Sequence, residues 1–418
     1  MPETKKTEGV GGLTRKKKVV FVALVLFFFI VIAELITRFA LNNSNAISIA
    51  ERKNTFEPYQ NKPWTEQYFK DEEKCNEQRR EPTSTSTFVR YILYDVGYPE
   101  CKTQTINWGG SARKTWNPDY DQKKPGIKVY KIGFFGGSTT QGAGVPDDLT
   151  IPSQFSKLIN NATSNVVYQV ENYGFSGYTY TQAVMKLVLL LREGKKFDFV
   201  VFYNGANDVD NAYEAGSVGA LYAEKTVENR LDGGLWGQLK EAAKNQIGSC
   251  GLCRLVITFS RNTPFFRDHL TPLLVQIRKL SLFKEGASKS DEDVSPFAQG
   301  IADYYGKSHG FLDKLSRAYN FQFADFWQPS LLYEDGPVGG EKIYWDIDNR
   351  LTDEKLKKLY RETLADVVAM KLNNFYDLSH ALVGRKKAYY LDAVHISDDG
   401  NEAVAERMFE AVKAALPQ

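Results

Sequence analysis

The chain is poor in the residues from which metal and disulfide scaffolds are built: its 418 residues include only four cysteines and four histidines. These are too few and too scattered for a zinc-finger array or a cysteine-rich secreted module. Neither charge is in excess, since 53 Lys plus Arg stand against 51 Asp plus Glu, a net charge of +2. Without a basic field there is no electrostatic footprint for a polyanion, and nucleic acid is not an expected partner. No internal repeat is visible. What the chain does have is material for a large core: 43% of its residues are hydrophobic and 25% charged. That composition is globular and excludes a disordered tail or a collagen. Length alone predicts two or three domains, although α/β folds often carry long insertions within one.

One long apolar run interrupts this ordinary composition. Val19 to Ala33 is unbroken, and after Glu34 it continues through Leu35, Ile36, Phe39, Ala40 and Leu41. A membrane span needs roughly 20 apolar residues, so residues 19–41 are read as an anchor with Glu34 and Arg38 at or near the interface. No clear small-residue cleavage site closes the run, which separates it from a removed signal peptide. Lys5, Lys6, Arg15, Lys16, Lys17 and Lys18 precede it. Positive charge stays inside, so residues 1–18 are expected to be a cytoplasmic tail and everything from about Asn42 to be extracytoplasmic. The expected topology is a single pass.

Export changes how the cysteines read. Cys75 and Cys101 flank one polar segment and Cys250 and Cys253 form a lone C-x-x-C, so sequential pairing is the simplest of three connectivities in an oxidising compartment. The C-x-x-C has no second pair to bind zinc, and no βαβ pattern precedes it for a redox role. Asn42 and Asn161 lie in glycosylation sequons, which matter only in a eukaryotic secretory pathway.

Residues 42–125 are polar and aromatic, and read as a stalk and packing extension. From 126 to 418 apolar strand-like runs alternate with helical ones. Strands are expected at Val129–Phe135, Val166–Val170, Phe197–Tyr203 and Phe321–Phe326, and helices near Pro152–Ile159 and Tyr180–Arg192. This is the rhythm of a parallel sheet. It is lost over about 209–300, which reads as an insertion with linker-like composition at 286–300. A further helix is expected to start with Thr352 as N-cap, with Leu356, Leu359, Tyr360, Leu364, Val367 and Val368 on one face. The last is expected over Asn401–Leu416.

Chemistry-bearing residues gather at the strand ends. The first strand runs into Gly136-Gly137-Ser138-Thr139-Thr140-Gln141-Gly142, which is neither a phosphate-binding loop nor G-x-S-x-G. The second ends in Asn172-Tyr173-Gly174-Phe175-Ser176-Gly177-Tyr178, and the third in Tyr203-Asn204-Gly205-Ala206-Asn207-Asp208. Open α/β sheets place their ligands at this carboxyl edge. Near the end of the chain, Asp392-Ala393-Val394-His395 precedes the final helix and offers a general base with a carboxylate to orient it.

These four segments, in this order, resemble the SGNH hydrolases, the GDSL-type esterases, over about Lys128 to Met408 apart from the insertion. The resemblance implies a doubly wound parallel sheet flanked by helices, a flavodoxin-like three-layer α/β fold. It implies Ser138 as nucleophile, His395 as base and Asp392 as the group that orients the imidazole. The oxyanion hole would form from the backbone N–H groups of Ser138 and Gly177 and the side-chain amide of Asn207. An acyl-enzyme route needs no metal or organic cofactor, and none is expected.

The sequence departs from the family's pattern at Gly137, where the name-giving Asp would stand, and at Ala206, in place of a glycine before Asn207. Asp208 reads as a brace for its turn. A second D-x-x-H, Asp377 to His380, follows a helix rather than leading into the last one, so His380 reads as structural. His269 and His309 match no block and read as surface or packing residues. The expected protein is an exported, membrane-tethered serine esterase acting on acyl, chiefly O-acetyl, groups of envelope or extracellular glycans. A lipid ester is another substrate class within reach of the anchor. Transfer of the acyl group to a sugar hydroxyl is the alternative chemistry, and a non-catalytic surface protein is the alternative from another class. Retention of all five site residues speaks against the latter.

Overall fold

A computed structural model describes residues 28, 56–80, 87–89, 91–95, 101–109, 112–120, 127–163, 166–222, 224 and 294–416. By its contacts the chain divides into two units, residues 1–47 with 225–287 and residues 48–224 with 288–418. Phe28 aside, the described residues belong to the second. The apolar run other than Phe28, His269, Cys250 and Cys253 lie outside the described residues. Among the described residues no helix is long and apolar enough to cross a membrane.

The second unit is built on a seven-stranded sheet. Its strands are β1 (Trp108–Gly109), β2 (Ala112–Arg113), β3 (Lys128–Gly136), β4 (Val166–Asn172), β5 (Phe199–Asn204), β6 (Gln322–Trp327) and β7 (Phe375–Asp377), in the spatial order β1-β2-β4-β3-β5-β6-β7. The five strands from β3 onward are parallel, while β1 and β2 add an antiparallel edge. The central strands read as continuous apolar runs because both faces are covered: Ile132, Phe134, Phe135, Val200, Val201 and Phe202 are fully buried. Full burial of each such side chain contributes roughly 1.5–3 kcal/mol. Taken in chain order, the parallel strands lie 2-1-3-4-5. The chain therefore switches direction across the sheet between β3 and β5, and it is outside the carboxyl ends of the strands at such a point that open α/β sheets bind their ligands.

Besides a short helix at Lys342–Ile347, the described helices are α1 (Thr65–Arg80), α2 (Ser138–Gln141), α3 (Ile151–Asn161), α4 (Tyr180–Arg192), α5 (Ala206–Ala215), α6 (Ser295–Tyr319), α7 (Glu354–Ala369) and α8 (Asp398–Val412). α3 packs on α8, and α6 packs on both α4 and α7. α4 has the bounds its sequence predicts, because Thr179 and Gln182 form a capping box that satisfies orphan N–H groups at its start. Two other helices start elsewhere than expected. α7 is capped by Asp353, whose carboxylate accepts from the N–H groups of Lys355 and Leu356, while Thr352 closes a preceding 3-10 turn onto Asn349. Val368, placed on its apolar face, is exposed. α8 begins at Asp398 behind the cap Ser397 and ends at Val412. α5 runs on to Ala215 and α6 opens at Ser295, both within the range read as insertion.

Residues of the amino-terminal extension join this unit. β1 and β2 belong to it, and Cys75 is disulfide-bonded to Cys101, with both residues in a small core of Tyr59, Tyr68, Phe69, Ile106 and Trp108. His309 is a packing residue rather than a surface one, its ring edge-on to that of Phe323 at 5.4 Å. It lies buried with Nδ1 2.9 Å from Asp325 Oδ2 and Nε2 2.9 Å from the carbonyl of Asn373.

Candidate active site

Ser138 is the first residue of α2, separated from the end of β3 only by the N-cap Gly137, and it is buried at the carboxyl edge. Its Oγ lies 2.7 Å from His395 Nε2, and His395 Nδ1 lies 2.6 Å from Asp392 Oδ2. The other oxygen of Asp392 accepts the backbone N–H groups of Val394 and His395, each at 2.8 Å. Burial alone would push this carboxyl up. The facing imidazole and the two backbone donors outweigh burial and hold it well below the usual carboxylate range. An ionised Asp392 only accepts, so Nδ1 carries the ring proton and Nε2 turns its lone pair to the serine hydroxyl.

The loop bearing His395 is fixed from behind. Leu391 N–H donates to the carbonyl of His395 at 2.8 Å, and Ser397 N–H to that of Tyr389 at 2.7 Å. Glu341, fully buried, accepts the N–H groups of Tyr389 and Tyr390. Arg385 is sandwiched between Glu341 and Glu334 with its side chain 1% exposed. A buried charge of this kind survives only when paired and hydrogen-bonded. Neither Arg385 nor Glu341 carries a local sequence signal, and sequence reasoning misses both.

The three groups that the resemblance implies for an oxyanion hole lie at the carboxyl ends of neighbouring strands. Ser138 N–H lies in the first turn of α2, where backbone donors have no intrahelical partner. Gly177 adopts φ +79° in a turn closed by Tyr178 N–H on the carbonyl of Phe175. Asn207, in the first turn of α5, donates through Nδ2 to the carbonyl of Tyr178 at 2.9 Å, which leaves its second amide hydrogen uncommitted by that bond. Both departures from the family pattern now have a physical reading. A Cβ at Gly137 would fall 2.4 Å from Asn207 Nδ2, so glycine there lets the amide close over the turn that carries Ser138. The positive φ that this block needs, +115°, falls at Gly205 against the ring of Trp327, and Ala206 takes an ordinary helical place.

Asp208 braces two of these segments. It is buried, and its oxygens accept Tyr180 N–H at 3.0 and 3.2 Å and Gly205 N–H at 3.3 Å. Burial pushes its carboxyl up to about 7, with the backbone donors opposing. A carboxyl raised from 3.8 on folding contributes stability that is fully present below the unfolded value and is lost as pH rises through about 7. Asp208→Asn does not titrate, so its stability relative to wild type is expected to rise between about pH 5 and about pH 8. Urea unfolding of both proteins at the two pH values checks this; equal pH dependence would remove Asp208 from the account.

His380 sits in the turn after β7, exposed, its ring 6.1 Å from that of Tyr333. The hydroxyl of Ser138 is met by His395 instead. Among the described residues no group of His, Cys, Asp and Glu is placed to hold a metal ion.

Residues 132–408 match the sequence profile of the GDSL-like lipase/acylhydrolases. The chain belongs to this family. As a GDSL-like acylhydrolase it is a serine hydrolase acting on ester bonds, with an α/β fold of mainly parallel sheet flanked by helices. Similar solved structures include an acetyl xylan esterase, 16% identical over 68% of this chain and 99% of its own, with a TM-score of 0.34. The acetyl xylan esterase of Geobacillus stearothermophilus is 14% identical over 70% of this chain and 99% of its own, TM-score 0.32. The lipase/acylhydrolase of Enterococcus faecalis is 13% identical over 69% and 97%, TM-score 0.33. No curated protein matches the chain.

Proposed function

We propose that this acylhydrolase is an exported, membrane-tethered esterase that removes acyl groups, chiefly O-acetyl, from envelope or extracellular glycans. Ser138 attacks the ester carbonyl while His395 takes its proton, and Asp392 stabilises the imidazolium that results. The tetrahedral oxyanion is met by the N–H groups of Ser138 and Gly177 and by Asn207 Nδ2. Collapse expels the sugar alkoxide with the proton from His395, and water then hydrolyses the acyl-enzyme by the same route in reverse. The observation that carries the reading is the unbroken line from Asp392 Oδ2 through His395 to Ser138 Oγ, at 2.6 and 2.7 Å. Asn207→Ala removes one of three oxyanion donors and is expected to lower kcat by about 10²–10³-fold with little change in KM. An unchanged kcat would take Asn207 out of the oxyanion hole.

Residues 19–41 are the tether in this reading, supported by the basic residues that precede the run. The Cys75–Cys101 disulfide supports an oxidising compartment. Full-length protein is expected to resist alkaline extraction while its carboxyl domain is cut by protease from outside the cytoplasm. A mature amino terminus near Ala46 would show a cleaved signal instead. Incubation with acetylated glycans and short aryl esters, with and without sugar acceptors, tests the chemistry: free acetate supports hydrolysis, acylated acceptor supports transfer, and inertness toward all of them overturns the enzyme reading of the substrate.

A further inference from the structure

α2 is a single turn, and a single turn does not hold itself, because nucleating a helix costs more than its first hydrogen bond returns. The carbonyl of Ser138 is anchored by the N–H groups of Gly142 and Ala143, at 2.9 and 3.0 Å. That leaves the carbonyls at the end of the turn without intrahelical partners. Asn172 Nδ2 takes that of Thr140 at 2.9 Å and reaches that of Gln141 at 3.4 Å, and the grip on the last residue of the turn and the chain just beyond it comes chiefly from one other residue distant in sequence. Arg113, on β2 between β1 and β4 with its side chain 3% exposed, donates through Nη1 to the carbonyls of Gln141 at 2.9 Å and Gly142 at 2.6 Å, and through Nη2 to that of Val145 at 2.7 Å. Its Nε donates to Asp147 Oδ1 at 2.9 Å, and Asn107 Nδ2 holds the other oxygen of Asp147 at 2.8 Å. One planar fork thus grips the chain at three carbonyls just past the serine, and its own orientation is locked by a buried carboxylate.

We infer that Arg113 is a positioning residue for Ser138: its guanidinium sets the height and rotation of α2, and with them the direction of Oγ toward His395. Arg113 touches neither substrate nor reacting atoms, and the inference rests on Ser138 being the nucleophile. The geometry demands a guanidinium rather than a positive charge. Lysine is a point charge with no fixed fork and does not reach three carbonyls and a carboxylate in one plane. The strand that carries Arg113 belongs to the extension ahead of the matched region, so this part of the chain completes the active site from outside it.

The test uses the full chain and a short aryl acetate, with kcat corrected for the folded fraction read from tryptophan fluorescence. Misplacing a reacting group by about 1 Å costs on the order of 10²-fold. Arg113→Met is expected to lose about that much in kcat with KM within about twofold, and Arg113→Lys is expected to recover little of it. Arg113→Ala in added guanidinium is expected to regain kcat, while wild type and Asn207→Ala gain nothing from the same salt. Should Arg113→Met fold poorly, the guanidinium rescue of Arg113→Ala decides alone. Corrected kcat at the wild-type level in Arg113→Met or Arg113→Lys, or the absence of rescue in folded Arg113→Ala, overturns the inference. Ser138→Ala measured alongside keeps the two ideas apart: activity in that variant would sink the nucleophile assignment whatever Arg113 does.

Discussion

Ser138→Ala and His395→Ala are each expected to lower kcat by about 10⁶-fold toward a short aryl ester, and the double variant to be no slower than either. The two side chains act in one step. Without the hydroxyl there is nothing for the imidazole to activate, and without the imidazole the hydroxyl remains a weak nucleophile. Their effects therefore do not add. Both variants should keep the wild-type circular dichroism spectrum, because Ser138 Oγ and the His395 ring meet in a part-buried position outside the main apolar core. A phosphonate ester that labels serine nucleophiles should modify wild type and leave Ser138→Ala unlabelled. His380→Ala is the control and should retain full activity. The assignment at the carboxyl end is wrong if His380→Ala destroys turnover with the fold intact while His395→Ala leaves it standing.

Asp392→Asn is expected to cost about 10⁴-fold in kcat while leaving the loop in place. The carbonyl oxygen of the substituted amide can still accept the N–H groups of Val394 and His395, so the backbone of the loop has no reason to move. What changes is the proton on the ring. An amide NH₂ facing Nδ1 donates, which favours the tautomer with the proton on Nε2. That tautomer presents an N–H to Ser138 and accepts nothing from it. Steady-state kinetics on folded protein decides the matter, and wild-type turnover in Asp392→Asn would leave His395 without its orienting carboxylate.

Several features are legible because their causes are local. α4 runs from Tyr180 to Arg192, as its sequence predicts, since Thr179, Gln182 and the apolar spacing lie within one stretch of chain. The Gly-Gly-Ser, Gly-Phe-Ser-Gly and Gly-Ala-Asn-Asp blocks are visible because each follows a run of apolar residues that forms a buried strand. α6 is not legible in full. Its 25 residues include Gly300, Gly306 and Gly310, which weaken helix propensity, and packing against α4 and α7 overrides this. The starts of α7 and α8 differ from their expected positions because several neighbouring residues could cap in each case, and the fold selects one of them.

From the sequence alone come the apolar run and its basic flank, the parallel α/β rhythm, and the residue types that act on an ester, since each is written in neighbouring residues or in one strand-to-turn transition. The tertiary structure alone decides which residues hold those groups at bonding distance. Gly137 matters because Asn207 lies above it, and Asp208 because it faces Tyr180 across the sheet edge. Arg385 is placed by two glutamates 44 and 51 positions away in sequence. Arg113 grips carbonyls 28 to 32 positions further along the chain. A buried charge must find its partner or the fold fails, but which partner it finds depends on where the strands pair, and no local stretch of sequence specifies that.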